Sequence, residues 1–135
     1  MKITEILSQE KPVLSFEVFP PKKESAYETV EQAAVEIARL SPSFMSVTYG
    51  AGGGTSQYTA DLAACLAKKY GVTSMAHLTC VSSTREHVAA MVKKYKDAGI
   101  ENILALRGDI PEGGAPHSDY HYAAELVRDI KSQGD

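Results

Sequence analysis

The sequence predicts an α/β protein of four successive βα units, with parallel strands and helices outside them. Three observations carry this. Short runs rich in β-branched, aromatic and aliphatic residues recur every roughly 30 residues, the length of a βα repeat. Between them lie stretches whose apolar residues recur at helical spacing, bounded by capping residues, glycine or proline. The strand runs are continuously apolar rather than alternating, the pattern of strands covered on both faces. Four units do not close a barrel, which takes eight strands and typically ~250 residues. An open sheet of this kind would leave barrel-lining residues exposed unless another copy or another chain covers them.

Taken in order, residues 3–7 form a short amphipathic lead-in, and residues 13–19 read as the first strand. Pro20 and Pro21 stop that strand, because neither has an N–H to donate. Ser25 and Glu28 have the spacing of a capping box, in which Ser caps and Glu reaches back to a free N–H. Val30, Ala33, Ala34, Ile37, Ala38 and Leu40 then make one apolar stripe, and Pro42 ends the helix. Residues 44–49 are the second strand, followed at once by the glycine-rich stretch 50–54 around Ala51. Thr55 or Ser56 would cap the next helix, whose apolar face is Tyr58, Leu62, Cys65 and Leu66, with Gly71 just past its end. The third strand, 73–81, carries His77 and Thr79. Ser83 and Glu86 form a second capping box, and that helix runs through Val88, Met91, Val92 and Tyr95 to Gly99. The fourth strand, 102–106, ends in Arg107-Gly108-Asp109. A Pro/Gly-rich loop, 110–117, leads to a last helix with Tyr122, Leu126, Val127 and Ile130 on its inner face.

At 135 residues the chain is expected to form one ordinary domain, 1–135. With 44% hydrophobic and 23% charged residues it is globular rather than disordered. A net charge of −3 gives no electrostatic reason to expect nucleic acid or an anionic membrane as partner. No apolar run approaches the roughly 20 residues of a spanning helix, and residues 1–6 lack a signal-peptide core. Cys65 and Cys80 show no C-x-x-C and no metal-ligand spacing, and are expected to be buried, reduced packing thiols. His87, His117 and His121 read as solvated residues wrongly spaced for a metal site. A cytoplasmic protein without a metal is expected.

Parallel strands bring their C-terminal ends to one face, where catalytic groups collect in such folds. Glu17, Thr48 with the glycine stretch, His77 with Thr79, and Arg107 with Asp109 all fall there. The apolar neighbours of Glu17 disfavour a charged carboxylate, which makes it a candidate general acid; the plainer reading is a strand-end Glu capped by solvent or by Lys22. The glycine stretch lacks the dinucleotide spacing and suits a mobile lid better than a phosphate cradle. Taken singly, His77 reads as a core histidine, and Arg107 and Asp109 as a pair. Their common placement makes the site.

Four motifs also stand in the order and spacing of one family. They are Ser15-Phe16-Glu17-Val18-Phe19-Pro20-Pro21-Lys22, Ser46-Val47-Thr48-Tyr49-Gly50-Ala51, His77-Leu78-Thr79-Cys80 and Leu104-Ala105-Leu106-Arg107-Gly108-Asp109. Along essentially its whole length the chain resembles the N-terminal half of the methylenetetrahydrofolate reductase barrel. The resemblance implies half of a TIM (βα)8 barrel, FAD as cofactor, and reduction of 5,10-methylenetetrahydrofolate to 5-methyltetrahydrofolate with NAD(P)H. By position, Glu17 resembles the general acid that helps open the folate's imidazolidine ring to an iminium ion. Asp109 resembles the carboxylate beside flavin and folate, whose charge tunes the flavin and favours that cation. Thr48, Tyr49, Ala51, His77, Leu106, Arg107, Gly108 and Asp109 resemble cofactor contacts, with Arg107 and His77 directed to phosphate or ring oxygens. Tyr122 and Ala123 match positions near the adenosine part. The stretch Gly52-Gly53-Gly54 is richer in glycine than the family pattern. The family's later strands, with further FAD contacts and the residues that hold the pterin, would lie beyond Asp135. The implied partners are the folate, NAD(P)H, and either a homo-oligomer or a C-terminal half. Two rival expectations stand beside this one: a non-catalytic flavin- or folate-binding half-barrel that pairs with itself, and a truncated fragment stabilised by oligomerisation.

Overall fold

The computed structural model describes residues 1–9, 11–50, 56–110, 112–114 and 117–134. Along the chain run α1 (Ile3–Leu7), β1 (Ser15–Val18), α2 (Tyr27–Ala38), β2 (Phe44–Val47), α3 (Ser56–Tyr70), β3 (Ser74–Thr79), α4 (Arg85–Asp97), β4 (Asn102–Leu106) and α5 (Ala123–Ser132). The strands lie in the sheet in chain order, β1-β2-β3-β4, and every neighbouring pair is parallel. A doubly wound sheet reverses its strand order at a switch point. This one does not. With crossovers of the usual right hand, sequential order puts all the helices on one face, as in an α/β barrel.

Register shows which residues face the helices. Val18 pairs with Val47, Val47 with Ala76, and Ala76 with Ile103. These positions, with Met45 and Leu78, pack on Ala34 and Ala38 of α2, Leu62 and Leu66 of α3, Val88 and Val92 of α4, and Leu126 of α5. Burying each large aliphatic side chain there contributes about 1.5–3 kcal/mol against the entropy of ordering the chain. Tyr95 of α4 is fully buried and donates its hydroxyl to the His77 carbonyl at 2.9 Å, which fastens α4 to β3.

The other set of positions forms the inner face. Glu17 pairs with Ser46, Ser46 with Met75, His77 with Leu104 and Thr79 with Leu106. The apolar strand runs suggested cover on both faces, and the inner face is covered only in part: Ser46, His77 and Thr79 are buried, while Leu104 is 37% and Leu106 36% exposed. A four-stranded arc cannot fold back over its own concave side, so the exposure expected of an open sheet is found.

Below the N-terminal strand ends, α1 is strapped across. The Ile3 N–H donates to Asn102 Oδ1 at 2.9 Å, and Asn102 Nδ2 donates to the Met1 and Ser74 carbonyls at 3.1 and 3.2 Å. Ile3 and Ile6 are buried beneath it.

Several local expectations are corrected. The first three strands are shorter than their apolar runs, ending at Val18, Val47 and Thr79. Ser25 does not cap α2: Glu24–Ala26 forms a 3-10 turn, and the helix starts from Ala26 without a side-chain cap. The buried stripe of α2 takes Val35, leaving Ala33 and Leu40 exposed. Ser83 does not cap α4 either. Its N–H is held by the Cys80 carbonyl in a turn, so the extended backbone of an N-cap arrives only at Thr84, whose Oγ1 accepts from the His87 N–H at 3.2 Å. On α5 the inner residues are Leu126 and Ile130, while Tyr122 and Val127 face outward. Gly71 and Gly99 end α3 and α4 with positive φ, as glycine past a helix end should. Cys65 and Cys80 are buried free thiols.

Candidate active site

β1 delivers Glu17 to the inner face one residue before the strand ends, and the buried Pro20 and Pro21 follow. Opposite it in register, Ser46 is 5% exposed and donates its hydroxyl to Glu17 Oε2 at 3.0 Å. His77 Nε2 lies 3.3 Å from the same oxygen. That contact has the distance of an ion pair without the alignment of a hydrogen bond, and Nε2 is buried with no other partner among the described residues. The apolar walls expected around Glu17 are absent on this side. Its neighbours are a hydroxyl and an imidazole, and its side chain is 48% exposed. Lys22 makes no ion pair with it among the described residues. His77 is buried, as a core histidine would be, yet its ring is aimed at a carboxylate rather than satisfied by the core.

Burial pushes the His77 pKa below that of a free imidazole, and the nearby Glu17 charge offsets part of this. The stability consequence has a definite sign. A depressed histidine pKa costs no stability while the ring is neutral in both states, and the unfolded chain gains protons first as pH falls. Unfolding free energy should therefore decline as pH drops below about 6.5, the free imidazole value. Urea titrations from pH 8 to 5 should show that decline, and His77→Gln should flatten it. An unchanged slope in the variant would rule out His77 as its source.

The remaining candidates sit on the same rim. Thr48 continues β2: its N–H donates to the Val18 carbonyl at 3.0 Å, and its own carbonyl accepts from Thr59 Oγ1 at 2.8 Å. Tyr49 is buried, with its hydroxyl 3.1 Å from His87 Nε2, so its phenol is engaged within the protein. Burial raises the pKa of that phenol. Ala51 and the following glycines lie outside the described residues. Leu106 and Arg107 extend the β3–β4 pairing, with carbonyls accepting from the Cys80 and Val81 N–H groups at 3.1 and 2.7 Å. Gly108 then turns with φ +85°, and a Cβ there would meet Val81 Cγ1 at 2.6 Å. Only glycine suits this close approach. The exposed Arg107 guanidinium reaches the Gly108 carbonyl at 3.2 Å through Nε and makes no ion pair with Asp109. Asp109 is exposed and has no hydrogen bond to Glu17 or His77. Tyr122, 68% exposed, stands at the N-terminus of α5 beside Ala123.

The loop between β4 and α5 is anchored near this rim. Ser118 Oγ donates to the Cys80 carbonyl at 2.9 Å, and the Tyr120 hydroxyl to Asp129 at 2.7 Å. The Arg85 guanidinium lies 5.2 Å from the Tyr120 ring centre and pairs with Asp129. Sequence reasoning brought Glu17 and His77 to one face. It missed Ser46 as their shared neighbour, although the two-residue period of β2 places Ser46 on the same face as Thr48. Among the described residues no group of three or more His, Cys, Asp or Glu is placed to hold a metal ion. No described helix is long and apolar enough to cross a membrane.

A singly wound parallel sheet with its polar groups gathered at the strand C-termini defines part of an α/β barrel. A model of the methylenetetrahydrofolate reductase family matches residues 2–135. The chain is 39% identical over 123 residues to 5,10-methylenetetrahydrofolate reductase of Pectobacterium carotovorum subsp. carotovorum, covering 90% of this chain and 40% of that protein. Identity to the protein of that name from Escherichia coli (strain K12) is 35% over 123 residues, with the same coverage. Methylenetetrahydrofolate reductase (NADH) 1 of Arabidopsis thaliana is 33% identical over 136 residues, covering 98% of this chain and 23% of that protein. The chain belongs to the methylenetetrahydrofolate reductase family, as its motifs suggested, and it spans well under half the length of these relatives.

Proposed function

We propose that these four βα units carry the acid and one side of the cofactor cleft of a flavin-dependent reductase. That reductase would convert 5,10-methylenetetrahydrofolate to 5-methyltetrahydrofolate with NAD(P)H. The observation that carries the reading is Glu17 on the inner face at the strand-end rim, with Ser46 and His77 on one of its oxygens and the other side open. Family membership supplies the reaction class; this cluster supplies a residue able to do its first step.

The residues present fit FAD. Leu104 and Leu106 offer apolar surface to a flat ring, and the exposed Arg107 guanidinium, bonded among the described residues only to a backbone carbonyl, offers donors to a phosphate. Thr48, Gly108, Tyr122 and Ala123 border the same rim. When bound, the flavin would supply hydride transfer between the pyridine nucleotide and the folate. The chain's own part is proton handling and charge. Glu17 gives its proton to a ring nitrogen of the folate as the C–N bond to the bridging methylene breaks. The bonding pair stays on that nitrogen, and a cationic iminium is left on the other. The Asp109 carboxylate favours that cation, and His77 and Ser46 hold the Glu17 carboxyl in place.

The open inner face and the unpaired edges of β1 and β4 favour closure by further strands, from a longer chain or a second copy. An equilibrium titration of the purified 135-residue protein with FAD, run beside its solution mass, tests the reading. Saturable binding by an assembly that covers the face is expected. Absence of binding in every assembled form would overturn the flavin reading.

A further inference from the structure

Ser46 enters the proposed chemistry only by holding the Glu17 carboxyl, yet its placement says more. It is buried in the middle strand-pair of the rim, and its hydroxyl is spent on one atom, Glu17 Oε2. The unpartnered His77 Nε2 faces that same atom. Glu17 Oε1 has no partner among the described residues, and the side chain is 48% exposed. A neutral carboxylic acid carries its proton on one oxygen only, and an oxygen that accepts a hydroxyl hydrogen is the better carbonyl-type acceptor.

We propose that Ser46 is a positioning residue for the acid: by bonding Oε2 it makes Oε1 the oxygen that carries and delivers the proton, and it steadies the carboxyl against His77. This rests on the reading of Glu17 as general acid. After the proton leaves Oε1, the Ser46 hydrogen bond stays with the carboxylate and strengthens, because a donor to an ionised acceptor is the stronger kind. The help is thus greatest after transfer, when it favours the reaction rather than the resting state. Burial keeps His77 toward its neutral form, so the imidazole does not compete as a fixed cation for the same oxygen. In register beside this cluster stand Met75 of β3, opposite Ser46, and Leu104 of β4, opposite His77, both uncharged.

The hydrogen bond can be read without any cofactor. Isotope-edited infrared spectra of the 135-residue chain at acid pH should show the Glu17 carboxyl C=O stretch, assigned by its loss in Glu17→Gln. Ser46→Ala should move that band to higher frequency and Ser46→Thr should return it; a band that stays put overturns the proposal. Ser46→Cys, near-isosteric and a poor donor, gives the same reading if the alanine variant does not fold. In a preparation that reduces folate, the ratio of folate reduction to flavin reduction by NAD(P)H should fall about tenfold in Ser46→Ala, the scale of one hydrogen bond to a reacting group. Recovery in Ser46→Thr is expected. A moved band with a ratio within twofold of wild type overturns the positioning role while leaving Glu17 as the acid. An unchanged ratio in Glu17→Gln overturns the acid itself, and the role of Ser46 with it.

Discussion

Glu17→Gln is expected to slow folate reduction by about 10²–10⁴-fold relative to flavin reduction by NAD(P)H, the usual worth of a positioned general acid. Glutamine keeps the shape and can still accept from Ser46, whose hydroxyl lies 3.0 Å from Oε2. What it cannot do is release a proton. Only the step in which a folate nitrogen takes up a proton should suffer, because hydride transfer from the nucleotide to the flavin needs no acid at this position. Stopped-flow measurement of the two half-reactions separates them. Equal loss in both would show that the substitution damages the cleft as a whole, and the acid role would be abandoned. The measurement belongs on an assembly in which the exposed inner-face residues Leu104 and Leu106 are covered.

The second large effect is structural. Gly108→Ala should destabilise the fold by about 2–5 kcal/mol, from two separable causes. A left-handed backbone at φ +85° costs a residue with a Cβ about 1–2 kcal/mol. The new methyl would also stand 2.6 Å from Val81 Cγ1 and 3.1 Å from Thr79 Cβ, and overpacking of that kind typically costs ~1–3 kcal/mol. Denaturant titration measures the sum. Val81→Ala in the Gly108→Ala background should relieve the steric part and leave the backbone part. If the double variant is no more stable than Gly108→Ala alone, the clash is not the cause. Because Gly108 lies between Arg107 and Asp109, the same change should turn both side chains away from the rim and weaken any ligand held there.

Much of this was legible in the chain. The repeat of apolar run and helical stripe determined four βα units, since each element's period is set by its own backbone geometry. β4 and the buried stripe of α4 fall where the pattern puts them. The arrest of β1 by two prolines placed Glu17 near a strand end, and the motifs named the family. Local signals failed where two positions competed. Ser83 and Thr84 both suit an N-cap, and the turn that holds the Ser83 N–H on Cys80 chose between them. Along α2 the buried stripe takes Ala34, Val35 and Ala38 and leaves Ala33 and Leu40 exposed, a choice made by what surrounds the helix and not by its period.

The sequence by itself determined which groups reach the rim: two carboxylates, Glu17 and Asp109, one imidazole and one guanidinium. Only the tertiary structure decided which of them meet. Register between β1, β2 and β3 brings Ser46 and His77 to a single oxygen of Glu17, and it leaves Asp109 apart from them. That choice lies in hydrogen bonds between strands far apart in the chain, for which no local pattern carries a signal. The open inner face has the same origin. Apolar content in a strand says that burial is favourable, and the number of strands in the sheet decides whether there is anything to be buried against.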